Sequence, residues 1–236
     1  MLVGNSRWHW AVRRSHQPLQ GWSELPEAGV LRLQQLTSNQ LVSWAAVGVV
    51  PEPAGPVLPP ERRLITSDVP LSEAPPWLGV DRALAAWGAW RCSGGAAVLV
   101  ADAGTALSLS RVQANGCFAG GRLLAGVGLQ LQALGQGTAA LPSLDPVQLR
   151  DALSGQCWPL ATAEAMAVGV VHGLAAALSA ATRELQRQSD QPVKLWLTGG
   201  DAPLLIPLLQ GEAQPWRLAP LLVLEALADL RPDPGL

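Results

Sequence analysis

Residues 96–121, AAVLVADAGTALSLSRVQANGCFAGG, constrain the fold more than any other stretch of the chain. An apolar run carries the backbone to a single carboxylate, Asp102, and a small-residue turn, Ala103-Gly104-Thr105, follows at once. An alternating segment through Leu107 and Leu109 leads away, and a second turn brings the chain back to Gly120-Gly121. The pattern predicts strand, tight turn, strand, turn, strand. A carboxylate does not accept a phosphate directly, but it holds a cation or a water that does, while neighbouring Gly and Thr supply N–H and O–H donors. The same residues also suit a plain hairpin turn with no chemistry.

Strands and helices alternate along the rest of the sequence. Residues 7–13 alternate like a half-buried strand behind the turn Gly4-Asn5-Ser6, and the strand before that turn looks cut short. Residues 28–36 have helical spacing, and 42–50 form an apolar run of strand length that predicts a buried parallel strand. After a Pro-rich loop at 53–60 and a short strand at 63–66, prolines and Gly79 lead into an Ala-rich helix over 83–90. Helices are expected near 129–134, 146–153, 161–188 and 221–230, with a strand at 193–197 running into Thr198-Gly199-Gly200-Asp201. That order predicts an α/β layer structure. The flexible Ser93-Gly94-Gly95 suggests a boundary between domains 1–93 and 94–236.

Composition removes several classes of function. With 49% apolar and 14% charged residues the 236-residue chain is globular, and a net charge of −2 without a basic cluster argues against nucleic acid. Cys92, Cys117 and Cys157 are odd in number and widely spaced, which fits reduced thiols rather than disulfides or zinc. With no signal-peptide pattern either, the expected compartment is the cytoplasm. The apolar stretch 165–181 contains His172 and two glycines and reads as a buried helix, so no membrane span is expected. His172 is expected to be a core or interface residue without a chemical role, and His9 and His16 lack metal-ligand spacing. The single lysine, Lys194, precedes Leu195, so no P-loop is present, and Gly126-x-Gly128 lacks the third glycine of a dinucleotide fingerprint.

Asp81 and Arg82 stand where the helix over 83–90 begins. One reading is a helix-start acid beside a solvated Arg; the other has Asp81 accepting a proton from a hydroxyl while Arg82 holds an anionic group. The turn after residue 197 lets a nucleotide approach the backbone. Thr162, at the opening of the long helix, is expected to cap it. An offset of about one hundred residues aligns Leu2-Val3-Gly4-Asn5-Ser6 with Asp102-Ala103-Gly104-Thr105-Ala106. A duplicated fold with a nucleotide between its halves follows, and Leu2 stands where the repeat would place an acid.

With these residues collected, the chain resembles the type III pantothenate kinases. The resemblance rests on Gly4-Asn5-Ser6, Leu78-Gly79-Val80-Asp81-Arg82, Asp102-Ala103-Gly104-Thr105-Ala106, Phe118-Ala119-Gly120-Gly121, Thr162-Ala163-Glu164-Ala165 and Thr198-Gly199-Gly200, in order along nearly the whole chain. It implies two RNase H-like domains of the actin, Hsp70 and sugar-kinase fold with a nucleotide cleft between them, a homodimer, and transfer of the ATP γ-phosphoryl to the 4′-hydroxyl of pantothenate, the first step towards coenzyme A. It further implies Asp81 as catalytic base, Gly79, Arg82 and Thr162 (from the neighbouring subunit) as pantothenate-binding, and Asp102 as holder of K⁺ or NH₄⁺, required beside Mg²⁺. Gly4, Asn5, Ser6, Gly104, Thr105, Gly120, Gly121, Thr198, Gly199 and Gly200 would bind ATP. The front motif of such enzymes is usually D-x-G-N-T, so Leu2 removes a charge while Ser6 keeps the hydroxyl, and Ser72 stands where a Tyr would line the substrate pocket. Loss of an acid that positions a metal would cost a few kcal/mol, roughly two orders of magnitude in rate or more. That departure motivates an alternative, a catalytically weak homologue acting as a ligand-binding regulatory protein.

Overall fold

A computed structural model describes residues 1–14, 17–36, 40–41, 43–52, 54–144, 149, 153, 156–189, 191–211 and 214–230. The chain forms two compact units, one of Met1–Val98, Ser110–Gly120 and Leu221–Leu236, the other of Leu99–Leu109 and Gly121–Pro220. Each has an α/β architecture, as the alternating pattern predicts.

The first unit is built on a four-stranded sheet in the order β3-β2-β1-β4, with β1 Leu2–Val3, β2 Trp8–Val12, β3 Gln20–Glu24 and β4 Ala45–Ala46. β1 runs antiparallel to β2 and parallel to β4, while β2 and β3 form an antiparallel pair. Alternation decides the faces: Trp8 and Trp10 turn inward with Met1, Val3, Leu33 and Trp44, and His9 turns to the other side. Helix α1, Pro26–Gln35, starts with Pro in its first turn and closes this core with Leu33 and Gly29. Gly29 is needed for contact, since a Cβ there would stand 2.5 Å from Trp8 Cε3. Helix α2, Val80–Cys92, buries its alanines and packs on the last helix, Leu222–Leu230, where Gly88 admits Ala226.

The expected strand over 42–50 is corrected to two residues, Ala45–Ala46, with Val42 outside the described residues. Beyond Ala46 the chain turns against the front of β1: Val47 and Gly48 both donate N–H groups to the Val3 carbonyl, and Val49 is 90% exposed. The expected strand at 63–66 is likewise reduced to one parallel bridge, Trp44 to Arg63, followed by a 3₁₀ turn at Thr66–Asp68. The helix expected over 146–153 lies largely outside the described residues.

The second sheet has the order β7-β6-β5-β8-β9, with β5 Val98–Ala103, β6 Ala106–Val112, β7 Phe118–Ala125, β8 Lys194–Thr198 and β9 Trp216–Leu218. The three strands expected within 96–121 are β5, β6 and β7, and β8 pairs with β9 in parallel. Helix α3, Val127–Gly137, packs against the long helix Thr162–Gln188. That helix is long and apolar enough to cross a bilayer, yet it buries Met166, Val170, Val171, Leu174 and Leu178 within its unit, the behaviour of a core helix.

Gly29→Ala tests the α1 contact. In a solvated helix the added methyl would stabilise by about 1 kcal/mol, whereas overpacking against a fixed ring costs about 1–3 kcal/mol. The expected net result is a lower urea midpoint at unchanged slope.

Candidate active site

In the first unit an open cavity of about 330 Å³ is lined by the backbone segment Ala46-Val47, by Arg63 to Thr66, and by Leu78 to Asp81. Thr66 Oγ1 donates to the Leu78 carbonyl at 2.6 Å, which fixes the approach to α2. Gly79 is the N-cap of α2 and Asp81 lies in its first turn. The Asp81 carboxylate folds back, Oδ1 accepting the Arg82 N–H at 2.8 Å. A Cβ on Gly79 would stand 2.6 Å from that oxygen, so only glycine leaves the carboxylate its place. Burial raises the Asp81 pKa above the ordinary 3.8, opposed by the Arg82 N–H and the Arg82 charge.

Arg82 extends over the Phe118 ring, its Cζ 6.0 Å from the centroid, and its buried Nε has no hydrogen-bond partner among the described residues. Burial lowers its pKa, against the attraction of Asp81. An aromatic platform and an unused donor suit a guanidinium that meets an anionic ligand group. Phe118 is itself held by the 70–75 segment: its N–H donates to the Ser72 carbonyl at 2.8 Å, Ser72 N–H to the Gly116 carbonyl at 3.1 Å, and the Cys117 thiol to Glu73 Oε2 at 3.0 Å. Glu73 itself has a left-handed φ of 59°.

The front turn Gly4-Asn5-Ser6 joins β1 to β2 and is closed by the Gly4 N–H donating to the Arg7 carbonyl at 3.1 Å. Gly48 packs on it so closely that a Cβ would stand 2.7 Å from the Gly4 carbonyl oxygen. Since Ala46 and Val47 line the Asp81 cavity, the front turn and the candidate base are linked within one unit through three consecutive residues. Leu2 is buried at 7% exposure, and its place holds no acid.

In the second unit, Asp102 is the next-to-last residue of β5, and the following turn closes with Gly104 N–H to the Ala106 carbonyl at 3.1 Å. Gly126 donates to the Thr105 carbonyl at 3.0 Å and lies against Gly104, leaving no room for a Cβ. From the other side comes the Thr198–Asp201 turn: Gly199 has φ +95° and lies on the Ala103 backbone, and Asp201 N–H donates to the Ala103 carbonyl at 2.8 Å. The structure therefore brings Gly104, Thr105 and the 198–200 turn together. Gly120 and Gly121 lie instead on β7, the edge strand of the sheet, where Gly120 takes φ +89°. Thr162 is exposed at the first position of the long helix; the N-cap is Ala161 without a side-chain bond, so the expected Thr162 cap is not made.

Two residues of this cluster escaped the sequence reading. Gly126 had been weighed only against a dinucleotide fingerprint, yet its function is the close approach to Gly104. The Asp201 carboxylate accepts the Val127 N–H at the start of α3, and burial raises its pKa above 3.8. An acid directly after a Gly-Gly turn was the available signal. For metals, no group of three His, Cys, Asp or Glu occurs among the described residues. Asp102 with the carbonyls of its own turn offers hard oxygen donors of the kind an alkali cation takes, and Mg²⁺ would depend on phosphates and water.

Residues 63–184 match the family model described as type III pantothenate kinase. The type III pantothenate kinase of Synechococcus elongatus is 38% identical over 220 residues, 89% of this chain and 86% of that protein. The chain belongs to the type III pantothenate kinase family. A second member, from Synechococcus sp. strain JA-3-3Ab, is 36% identical over 98% of this chain and 90% of its own length. Component A of the (R)-2-hydroxyglutaryl-CoA dehydratase of Acidaminococcus fermentans superposes with a TM-score of 0.56 at 12% identity, covering 97% of this chain and 93% of that one. That likeness places the kinase in the actin-like ATPase and sugar-kinase fold.

Because the folded pKa of Asp81 lies above 3.8, the folded state binds more protons than the unfolded state between those two values, and stability falls as pH rises through that window. Asp81→Asn keeps an oxygen for the Arg82 N–H and removes the charge. It is expected to melt higher than the wild type at pH 7, with the difference vanishing below pH 3.8. A lower melting point at pH 7 would show that the carboxylate is stabilised, not strained, by its site.

Proposed function

We propose that this kinase transfers the γ-phosphoryl group of ATP to the 4′-hydroxyl of pantothenate, giving ADP and 4′-phosphopantothenate at the first step of coenzyme A biosynthesis. The observation that carries the reading is Asp81, a carboxylate desolvated at a helix start, kept in place by Gly79 and lining a cavity of about 330 Å³, in a chain that belongs to this family.

In this reading Asp81 accepts the hydroxyl proton as the oxygen attacks the γ-phosphorus, and the bond to the β-bridging oxygen breaks to release ADP. A desolvated carboxylate of raised pKa is a better proton acceptor than a solvated one. Arg82 pairs with the pantothenate carboxylate from its platform on Phe118, and Gly79 lets the substrate approach the backbone. Thr162 of the partner subunit completes the pocket in a homodimer. Support for that surface comes from Trp158 and Leu160, which precede the helix at 90% and 100% exposure. Gly4, Asn5, Ser6, Gly104 and Thr105 face the phosphates, Thr198, Gly199 and Gly200 the nucleoside, and Gly120 and Gly121 the remaining edge of the ATP site. Asp102 holds K⁺ or NH₄⁺, which supplies positive charge to the phosphates; Mg²⁺ accompanies ATP. Phosphoryl transfer depends on positioning and charge neutralisation more than on covalent help, which suits a site made of amides, one Arg and bound cations. A cytoplasmic location follows from the substrates. The regulatory alternative is motivated by Leu2 and the short first strand, and the relatives named as type III pantothenate kinases lend it no support.

The chain is expected to turn over ATP only when pantothenate is present. Asp81→Asn should lower kcat by about 10²–10⁴-fold, the range for loss of a general base, and unaffected turnover would sink its assignment. Asp102→Asn should abolish the stimulation by K⁺ while leaving pantothenate binding, measured by calorimetry, within about twofold of wild type, since a cation acts on the phosphates.

A further inference from the structure

Glu73 is the one non-glycine residue with a left-handed φ among the described residues. Such a backbone is strained in a residue with a Cβ and persists where surrounding contacts hold it. The contacts here are with the turn between β6 and β7. The Cys117 thiol donates to Glu73 Oε2 at 3.0 Å, and the Phe118 carbonyl lies 3.7 Å from the same sulfur. Beside it Ser72 and Cys117 form a parallel bridge, with Ser72 N–H donating to the Gly116 carbonyl at 3.1 Å and Phe118 N–H to the Ser72 carbonyl at 2.8 Å. The hydrogen bond to Glu73 is the first cause of a Cys117 pKa raised above the ordinary 9.0, so at pH 7 the group is a thiol and a donor.

The turn is also anchored to α2. Trp90 donates its indole N–H to the Ala114 carbonyl at 3.1 Å, and Gly116, at φ +79°, lies against the same ring, whose Cζ2 would stand 3.2 Å from a Cβ. Within the turn, Gln113 N–H donates to the Cys117 carbonyl at 2.9 Å and Cys117 N–H to Asn115 Oδ1 at 3.1 Å. Phe118 is the next residue, the first of β7, and its ring carries the Arg82 guanidinium. Arg82 forms no salt bridge among the described residues. A guanidinium without a carboxylate across from it is located by the surface it lies on.

We propose that Glu73 and Cys117 are positioning residues for Arg82: their contact straps residues 72–73 to the β6–β7 turn and so fixes the Phe118 ring beneath the guanidinium. The proposal rests on the reading of Arg82 as partner of the pantothenate carboxylate. Neither Glu73 nor Cys117 touches the substrate. They act on its affinity through the ring, and loosening the strap weakens anion binding while leaving proton transfer at Asp81 as it was.

Phe118 is the only phenylalanine in the chain, so the full chain labelled with 4-fluorophenylalanine gives a single fluorine NMR resonance that reports the platform. In wild type, pantothenate is expected to shift this resonance. Glu73→Gly removes the carboxylate and at the same time relieves the left-handed backbone, so it should melt higher than Glu73→Ala. Both variants should displace the resonance and raise the KM for pantothenate about three- to tenfold, the loss of one hydrogen bond, with kcat and the KM for ATP within about twofold of wild type. Cys117→Ser keeps a donor and should stay within about twofold of the wild-type KM. Cys117→Ala should match Glu73→Ala, and the double variant should be no worse than either, because a single contact is lost. A merely structural role would let the KM recover with the melting temperature. A wild-type KM in Glu73→Gly, or a resonance that it leaves unmoved, overturns the proposal. Arg82→Gln separates the two layers. If it raises the KM for pantothenate while Glu73→Gly does not, the positioning role falls and the Arg82 assignment stands; an unchanged KM in Arg82→Gln overturns that assignment and the proposal with it.

Discussion

Four glycine α-carbons stand where a methyl group would collide with the backbone or with a functional atom. Gly48 lies on the Gly4 carbonyl, Gly79 on the Asp81 carboxylate, Gly126 on the 104–105 turn and Gly199 on Ala103. At Gly48, Gly126 and Gly199, turns in both units are thus braced by backbone against backbone, with no side chain between. A phosphate bound through amides needs that exposed main chain, and glycine provides it at a cost of about 0.5–1 kcal/mol per position in chain entropy. The rest of each unit, a sheet covered by helices, is what holds such weakly self-organising turns in register.

Asp81 illustrates how a strong local effect is set by packing. The start of a helix ordinarily favours an ionised acid, and the Arg82 N–H and charge act in that direction. Burial outweighs both and leaves the carboxyl with a raised pKa. The same desolvation acts on Arg82, whose Nε, above Phe118, has no partner among the described residues. Two adjacent groups are therefore both less well solvated than free side chains, which is the state in which each gains most from a ligand that supplies a hydroxyl proton or an anion.

Much of this was legible because it is local. The 96–121 meander, the helix behind Asp81 and the Gly-Gly turn after β8 are written in alternation, small residues and helix-start chemistry. The run over 42–50 was misleading for a tertiary reason: its apolar residues suit a strand, but Gly48 is drawn onto Gly4 and ends the pairing after Ala46. Thr162 has the residue type of a cap, but Ala161 takes that place and leaves Thr162 exposed. Gly126 and Asp201 were unreadable as partners, because what joins them is the approach of segments far apart in sequence. The alignment of Leu2 with His9, and of His9 with Ser23, across the first sheet is visible only once the strand register is known.

Charge then separates the two glycine turns. With a single lysine in the chain, phosphate neutralisation falls to arginine, amides and bound cations. The second unit carries Asp102 and Asp201 at or beside its turns, and Asp201 is already engaged with the Val127 N–H at the start of α3. An acidic turn of that kind attracts a cation and repels an unaccompanied phosphate. The front turn has the opposite character, with Leu2 in place of an acid, Arg7 at its end and a neutral His9 beside it. The two turns therefore differ in charge: the second carries Asp102 with Asp201 beside it, and the first has Leu2 in the corresponding place.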